Sequence, residues 1–588
     1  MQSGQRAPIL SRVIFGLVPK THVSSHSAVE AGSFLRDKCK TIALAPAARW
    51  VLGTSLRMTT IRRVLGVVTS FGPLALLATS APLHALDTPR RGGTLTYAVI
   101  GDPPTIDCHG ATSFATMHYV SPHYSLLIKI DPKDTSKVAA DVASSWTASD
   151  DKLTYTFKIR PGITFHDGSG LTSADVKASF DRIRKPPQGV VSVRQSVFSR
   201  IKDIETPDAE TVVFKLSSAS PAFLFTLASP FNCIYSATKL AMDPTYPANE
   251  VMGSGPFVVG ERVRGASWTG NRFDGYFEKP RPYLDGFKAF NTAGPSLASA
   301  LQSGQVMAEF RTLAPSVRDQ LKTALGDGIQ FHTKPYDFLI VVAFNTRKPP
   351  FDDVRVRRAL SLGIDRWGGA KALSRVSSLT FVGGTQRPES PWAASEAELT
   401  AYPGYGRDIA AARAEAKRLL KEAGQENLTI KLVNRNIADP YTSAGIFLVD
   451  QWRQLGLTVE HAQVDVGTLT NAMRSGAFDA IIDFLGENVD DPSIALARNI
   501  SADVSTYNPS GFIDREIDGL YAKIDATFDP VERKKHLHAF ETRFLEQAYQ
   551  VPFLWLNRTV GLSAKVQGFE VTPTHFVNQD LGGLWLKE

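Results

Sequence analysis

Three small groups of residues carry side chains that could do chemistry. His166 and Asp167 are adjacent, which suggests a proton-transfer pair. They lie in Phe165-His166-Asp167-Gly168, however, a turn in which neighbouring polar residues are ordinarily structural. His109, His118 and His123 are separated by nine and five positions. Metal ligands converge from defined elements, and this loop spacing does not form such a set, so no metal is assigned. Asp490 and Asp491 form a carboxylate pair, for which no acid/base role is expected. The chain has no Gly-x-Ser-x-Gly elbow, Walker loop, His-Glu-x-x-His or Cys-x-x-Cys. No catalytic residue and no cofactor is expected. Arg435 stands in the polar run Asn434-Arg435-Asn436-Ile437-Ala438-Asp439, which by itself reads as a loop with a surface arginine.

The elements that must position these residues are marked by period. Leu153, Tyr155, Phe157 and Ile159 alternate with Thr154, Thr156 and Lys158, which predicts a half-buried strand. Pro161-Gly162 suits the centre of a type II turn. Thr172 to Asp175 reads as a capped helix start, with Val176, Phe180 and Ile183 on one face. Residues 338–344 are a continuous apolar run, consistent with a buried strand. Asp352 or Asp353 can cap a helix that buries Val356, Ala359, Leu360 and Ile364. Arg355, Arg357 and Arg358 on that helix read as a solvated or salt-bridged face. Residues 410–424 predict an amphipathic helix stopped by Gly424. A strand at 428–433, a helix at 441–455 and a strand at 457–460 follow, which implies an α/β unit with parallel pairing.

A length of 588 residues exceeds one hydrophobic core and predicts two or three domains. The basic balance belongs to the N-terminus. Residues 1–85 hold ten Lys and Arg against two acidic residues, leaving 55 basic and 56 acidic residues in 86–588. That part of the chain gives no reason to expect nucleic acid. Arg62-Arg63, the apolar stretch 64–78 and the small residues near Ala81 and Ala85 have the build of a secretory signal, residues 58–85. Residues 1–57 are read as an upstream extension, with translation beginning at Met58. Cys108 and Cys233 can form a disulfide or remain two buried thiols.

The strand, the Arg160-Pro161-Gly162 turn, Phe165-His166-Asp167-Gly168 and Ala174-Asp175-Val176 together resemble the large solute-binding proteins of ABC importers for dipeptides, oligopeptides and nickel, family 5. Further segments resemble the family in the same order: Arg90 to Tyr97, Gly253 to Phe257, Asn345 to Leu360 and Glu546 to Trp555. The resemblance implies an α/β, two-lobed periplasmic-binding-protein fold of the large, peptide-binding type with an additional subdomain. Lobe I would be discontinuous, 88–130 with 252–340 and 556–588. The added domain would be 131–251, and lobe II 341–555. It also implies capture of a short peptide or small organic solute, delivery to a permease with its ATPase subunits, a periplasmic location and a monomer. A secreted hydrolase or a chaperone-like peptide binder on the same scaffold is the rival.

In peptide-binding relatives an arginine takes the carboxylate and an aspartate takes the ammonium. Carried over by register, the arginine falls on Arg435, and Asn488 stands where the aspartate would be. Leu485 replaces the usual tryptophan. Asn434, Glu487 and Tyr441 complete the implied ligand-binding set. An amide cannot neutralise a buried ammonium, so this register favours an acidic or differently substituted solute over a free peptide N-terminus. Mature protein from the native host should begin near Pro82 or Leu86, which N-terminal sequencing will read. Retention of residues 1–57 would refute the Met58 start.

Overall fold

The computed structural model describes residues 88–292, 295–486, 489–505 and 507–588. The expected signal at 58–85 and the expected upstream extension at 1–57 lie outside them. Glycine-flanked alternating runs give β1 (Thr94–Val99), then the short hairpin β2 (Ile128–Ile130) and β3 (Val138–Ala140). Next come β4 (Ala143–Ala148), β5 (Thr154–Ile159), β6 (Ile201–Asp208) and β7 (Thr211–Leu216). These four make a separate sheet in the order β4-β5-β7-β6. Its core is Phe157, Phe180, Phe214 and Val176, all fully buried. The predicted strand is β5, with Tyr155, Phe157 and Ile159 inward. Gly162 takes a φ of 75°, as the second central position of a type II turn requires. The predicted helix is Ser173–Arg184. Asp175 accepts the Thr172 amide at 2.7 Å and, with its other oxygen, the Ala237 amide at 2.7 Å. One carboxylate thus starts the helix and ties it to the next segment.

The chain returns at Gly253 and Gly255, which pack against the backbone at His123 and Tyr124. A Cβ on Gly255 would stand 2.5 Å from the Tyr124 nitrogen. Then come β8 (Phe257–Val263), β9 (Ser267–Arg272), β10 (Gly286–Asn291), β11 (Ala308–Glu309), β12 (Ile329–Phe344) and β13 (Leu379–Phe381). The remaining strands of the main sheet are β14 (Thr429–Arg435), β15 (Thr458–Val464), β16 (Ala480–Leu485) and β17 (Gln550–Ser563). The order is β15-β14-β16-β12-β17-β11-β1-β10-β9-β8, with β13 on β17. Pairing of β14 with β15 and β16 is parallel, as the strand-helix-strand succession predicts.

Two cores flank this sheet. One joins Ile340, Val342 and Phe344 to Leu432, Leu448 and Trp452. The other joins Leu95, Tyr97, Phe287 and Phe310 to Val560. Among the described residues no helix is long and apolar enough to cross a membrane.

One open alternative is settled and one expectation changes. Cys108 and Cys233 are bridged, with Cα atoms 6.1 Å apart. The arginines on helix Val354–Leu362 do not share one solvated face. Arg355 does pair with Asp353 at the surface. Arg357, 3% exposed, donates to the carbonyls of Phe351, Asp352 and Gln547, and Arg358 donates to Glu546. Glu546 and Gln547 end helix Pro530–Gln547, whose last carbonyls need donors and favour cations. The arginines are there to cap a neighbouring helix.

The disulfide closes a separation of 125 residues, so its loss should matter. Cys108→Ser with Cys233→Ser should lower stability by about 2–5 kcal/mol. Thermal denaturation with and without reductant checks this: reductant should shift the wild-type transition and leave that of the double variant in place.

Candidate functional site

The site grows from the end of β14. Leu432 and Val433 pair with Ala480 and Ile481 of β16, and this register continued brings Arg435 beside Asp483. Arg435 donates Nη2 to Asp483 Oδ1 at 2.6 Å. Tyr507 donates its hydroxyl to the other carboxylate oxygen at 2.6 Å. Asp483 is 1% exposed, and these two partners occupy both of its oxygens. The Arg435 guanidinium lies 4.7 Å from the Tyr441 ring centroid and 5.2 Å from that of Phe484. Phe338 stacks on Phe484 at 4.5 Å, with ring planes 8° apart. Arg435 Nη1 is buried and has no acceptor. Burial by itself lowers the affinity of Arg435 for its proton, but the Asp483 carboxylate and the Tyr441 phenol reverse this and raise it. Burial pushes the Tyr441 phenol up, partly opposed by Arg435.

A second polar group faces this one across the sheet. Tyr336 of β12 bonds its hydroxyl to His575 Nδ1. The His575 ring lies 4.3 Å from Phe114, on which His118 also stacks. Arg311 follows β11. Its buried Nε has no acceptor, and its charge bears on Tyr336, Tyr441 and His575. Two guanidiniums from opposite halves of the sheet therefore act on the Tyr441 phenol.

Behind them Arg558, fully buried, donates to the carbonyls of Phe310, Arg311, Thr572 and Thr574. Burial pulls it down to about 10. Glu309 accepts the Arg311 amide at 2.7 Å through Oε1, while Oε2 has no donor. Burial pushes Glu309 up to about 7, against the pull of Arg311 and Arg558.

The structure brings Arg435 and Tyr441 together. It does not bring Asn434 or Leu485 to them: Asn434 faces the opposite side of β14 from Arg435, and Leu485 lies further along β16. Asn434, fully buried, bonds to His461 and to the Arg435 carbonyl. Leu485 packs with Leu339, Val341, Phe381 and Trp555. Glu487 and Asn488 lie outside the described residues.

Sequence reasoning missed Phe338, Asp483, Phe484, Tyr507 and Arg311. Asp483 did leave a signal: a lone carboxylate inside the apolar run Ala480 to Leu485 must have a partner.

The other groups have structural roles. His166 bonds the Gly255 carbonyl at 3.0 Å, and Asp167 takes the Ser169 amide and hydroxyl. His109 contacts Arg182 and the Cys233 carbonyl. His123 contacts the Phe257 carbonyl and accepts from Trp268. Asp491 receives two bonds from Arg533, and Asp490 pairs with Arg387. Among the described residues no group of three His, Cys, Asp or Glu is placed to hold a metal.

Residues 137–505 match the model of the bacterial extracellular solute-binding proteins, family 5 (middle). The chain belongs to that family, and its fold is the two-lobed α/β binding-protein fold. It is 26% identical over 526 residues to the "Probable D,D-dipeptide-binding periplasmic protein DdpA" of Escherichia coli, covering 86% of this chain and 96% of that one. Among solved structures it resembles the substrate-binding protein CtaP of Listeria monocytogenes, with a TM-score of 0.74, 24% identity and 85% and 100% coverage. It also resembles AgaA of A. tumefaciens R10, solved with agropinic acid, with a TM-score of 0.69, 25% identity and 84% and 99% coverage.

The raised Glu309 has a pH signature. Its folded form holds a proton that the unfolded chain releases near 4.5, so stability from this group falls as pH rises from about 4.5 to 7 and levels off above. Glu309→Gln should remove that fall, worth on the order of 3 kcal/mol. Denaturant unfolding of both proteins at pH 4.5 and 8 reads the difference. Parallel pH profiles would show that Glu309 is not the titrating group.

Proposed function

We propose that this protein is the capture subunit of an ABC importer. Its cleft holds a small organic solute, peptide-like or not, by a carboxylate, and a membrane permease and its ATPase subunits receive the cargo. The observation that supports the carboxylate is Arg435: one nitrogen is on Asp483 and the other is buried without an acceptor. A ligand carboxylate supplies that acceptor and makes a charge-assisted bond in a site shielded from water. Arg311 from the opposite half adds a second positive charge. The names of the relatives agree with this class: a D,D-dipeptide and agropinic acid both carry carboxylates.

In this reading residues 88–130, 252–340 and 556–588 form lobe I, 131–251 the added domain and 341–555 lobe II. Both lobe boundaries then fall inside continuous strands, β12 and β17, which serve as the hinge. The protein works as a periplasmic monomer without turnover. The Cys108–Cys233 bridge suits an oxidising compartment.

Arg435→Ala should weaken solute binding by about 2–5 kcal/mol. Arg435→Lys should also lose affinity, because an ammonium lacks the planar fork. Removing Arg435 alone also leaves Asp483 unpaired, so stability should fall too. Arg435→Met combined with Asp483→Asn should restore stability but not binding. Asn488→Asp should improve binding of simple dipeptides by supplying their missing counter-charge. Calorimetry with the co-purified solute and a dipeptide panel checks all four. Wild-type affinity in the Arg435 variants would exclude this anchor.

A further inference from the structure

A cavity of about 420 Å³ lies behind the cleft, lined by residues from lobe I, the added domain and the C-terminal segment. No residue from 341 to 555 lines it, so it is separate from the Arg435 site. We propose that this cavity is a second ligand site, selective for a small organic ammonium ion that carries N–H donors.

The walls present acceptors that lack donors. Asp141 is 4% exposed; its Oδ2 accepts the Leu126 amide at 2.9 Å, whereas Oδ1 has no hydrogen bond. Gln579 is 2% exposed; its amide nitrogen donates to the Val577 carbonyl, and its Oε1 has no donor. The hydroxyl of Ser121, also in the wall, is buried without a partner. Buried oxygens of this kind cost free energy until a donor arrives.

The charge balance favours a cation. Lys129 sits among three carboxylates, 3.3 Å from Glu278 and 3.9 Å from both Asp141 and Asp580. Arg281 is spent on Glu278 at 3.2 Å. With Lys133, Asp131 and Glu570 also in the wall, three cations stand against four lining carboxylates and Glu278 beside them, so negative charge is in excess. In keeping with this, burial holds the Asp141 carboxyl up at about 6 despite the opposing Lys129. An anionic ligand would add to the excess and be repelled.

The rest of the wall suits an organic cation rather than a bare ion. Tyr124, Tyr276, Tyr283 and Trp585 all line the cavity, and aromatic faces attract ammonium groups. The volume falls in the range of small-molecule sites. The two open carbonyl-type oxygens favour primary or secondary ammonium over quaternary.

The test is calorimetry on the mature protein with putrescine, spermidine, tetramethylammonium and succinate. One of the two amines should bind saturably with a Kd below about 1 mM. Tetramethylammonium should bind at least about tenfold more weakly, and succinate not at all. Gln579→Met, which keeps the volume and removes the acceptor, should weaken amine binding about tenfold. Asp141→Asn should do the same where it folds. Arg435→Ala should leave amine binding unchanged, which separates this site from the cleft. The proposal is overturned if neither amine binds saturably, if Gln579→Met binds at wild-type strength, or if Arg435→Ala abolishes binding.

Discussion

The antiparallel pair of β12 and β17 holds the molecule together. Ile329 pairs with Ser563 at one end and Ala343 with Gln550 at the other. Toward the first end, β17 carries β11 and through it β1, β10, β9 and β8. Toward the second end, β12 carries β16, β14 and β15. Both cores hang from the same two strands, and the ladder can pass between them only through this pair. The register breaks between Pro335 and Leu339, where Pro335 has no amide to give. Tyr336 and Phe338 lie in that break. One touches His575, the other Phe484 and Tyr441. The irregularity thus sits where side chains of the two halves meet; there the Asp337 amide leaves the β12–β17 ladder for the Pro573 carbonyl, and such a break allows bending without melting either sheet half.

Polarity in the cleft follows from how its charges are housed. Asp483 is buried in a strand, where a polar group without partners is costly. Arg435 and Tyr507 satisfy its two oxygens, and the aromatic rings of Tyr441 and Phe484 support the guanidinium. The pairing fixes Arg435 before any ligand arrives, so less rotamer freedom is lost on binding. It also uses only one edge of the fork, and the other edge keeps donors for a second carboxylate. Arg558 is the opposite case. Four carbonyls occupy it, and its role is to hold residues 310–311 against 572–574.

Local patterns were legible in the sequence wherever the neighbouring residues themselves set the structure. The alternation in β5, the Pro161-Gly162 turn, the Asp175 cap and the parallel pairing around β14 all follow from residues close in the chain. Arg435 and Tyr441 were singled out through a family register, and the guanidinium lies 4.7 Å from that ring centroid. What the sequence did not disclose depends on distant partners. Arg357 reads as a surface charge until the end of helix Pro530–Gln547 is placed beside it. Asn434 and Arg435 read as one polar loop, but β14 continues to Arg435 and strand alternation turns them to opposite faces. The disulfide needs Cys108 and Cys233 brought within reach across 125 positions, which only the assembled fold decides.

The C-terminal segment links the two sites. His575 bonds Tyr336 at the cleft, Phe576 packs on both Phe114 and Phe231, and Gln579 and Asp580 line the rear cavity. Five consecutive positions therefore run from one site to the other. His575, Val577 and Gln579 on this path are buried, and Phe576 and Asn578 between them are partly exposed. Such a segment cannot shift at one end without strain at the other, because packed interiors yield little. An occupant of the rear cavity that draws in Gln579 acts on the backbone four residues from the ring that positions Tyr336. By linkage, any effect on cleft affinity must be returned equally by the cleft ligand on the cavity.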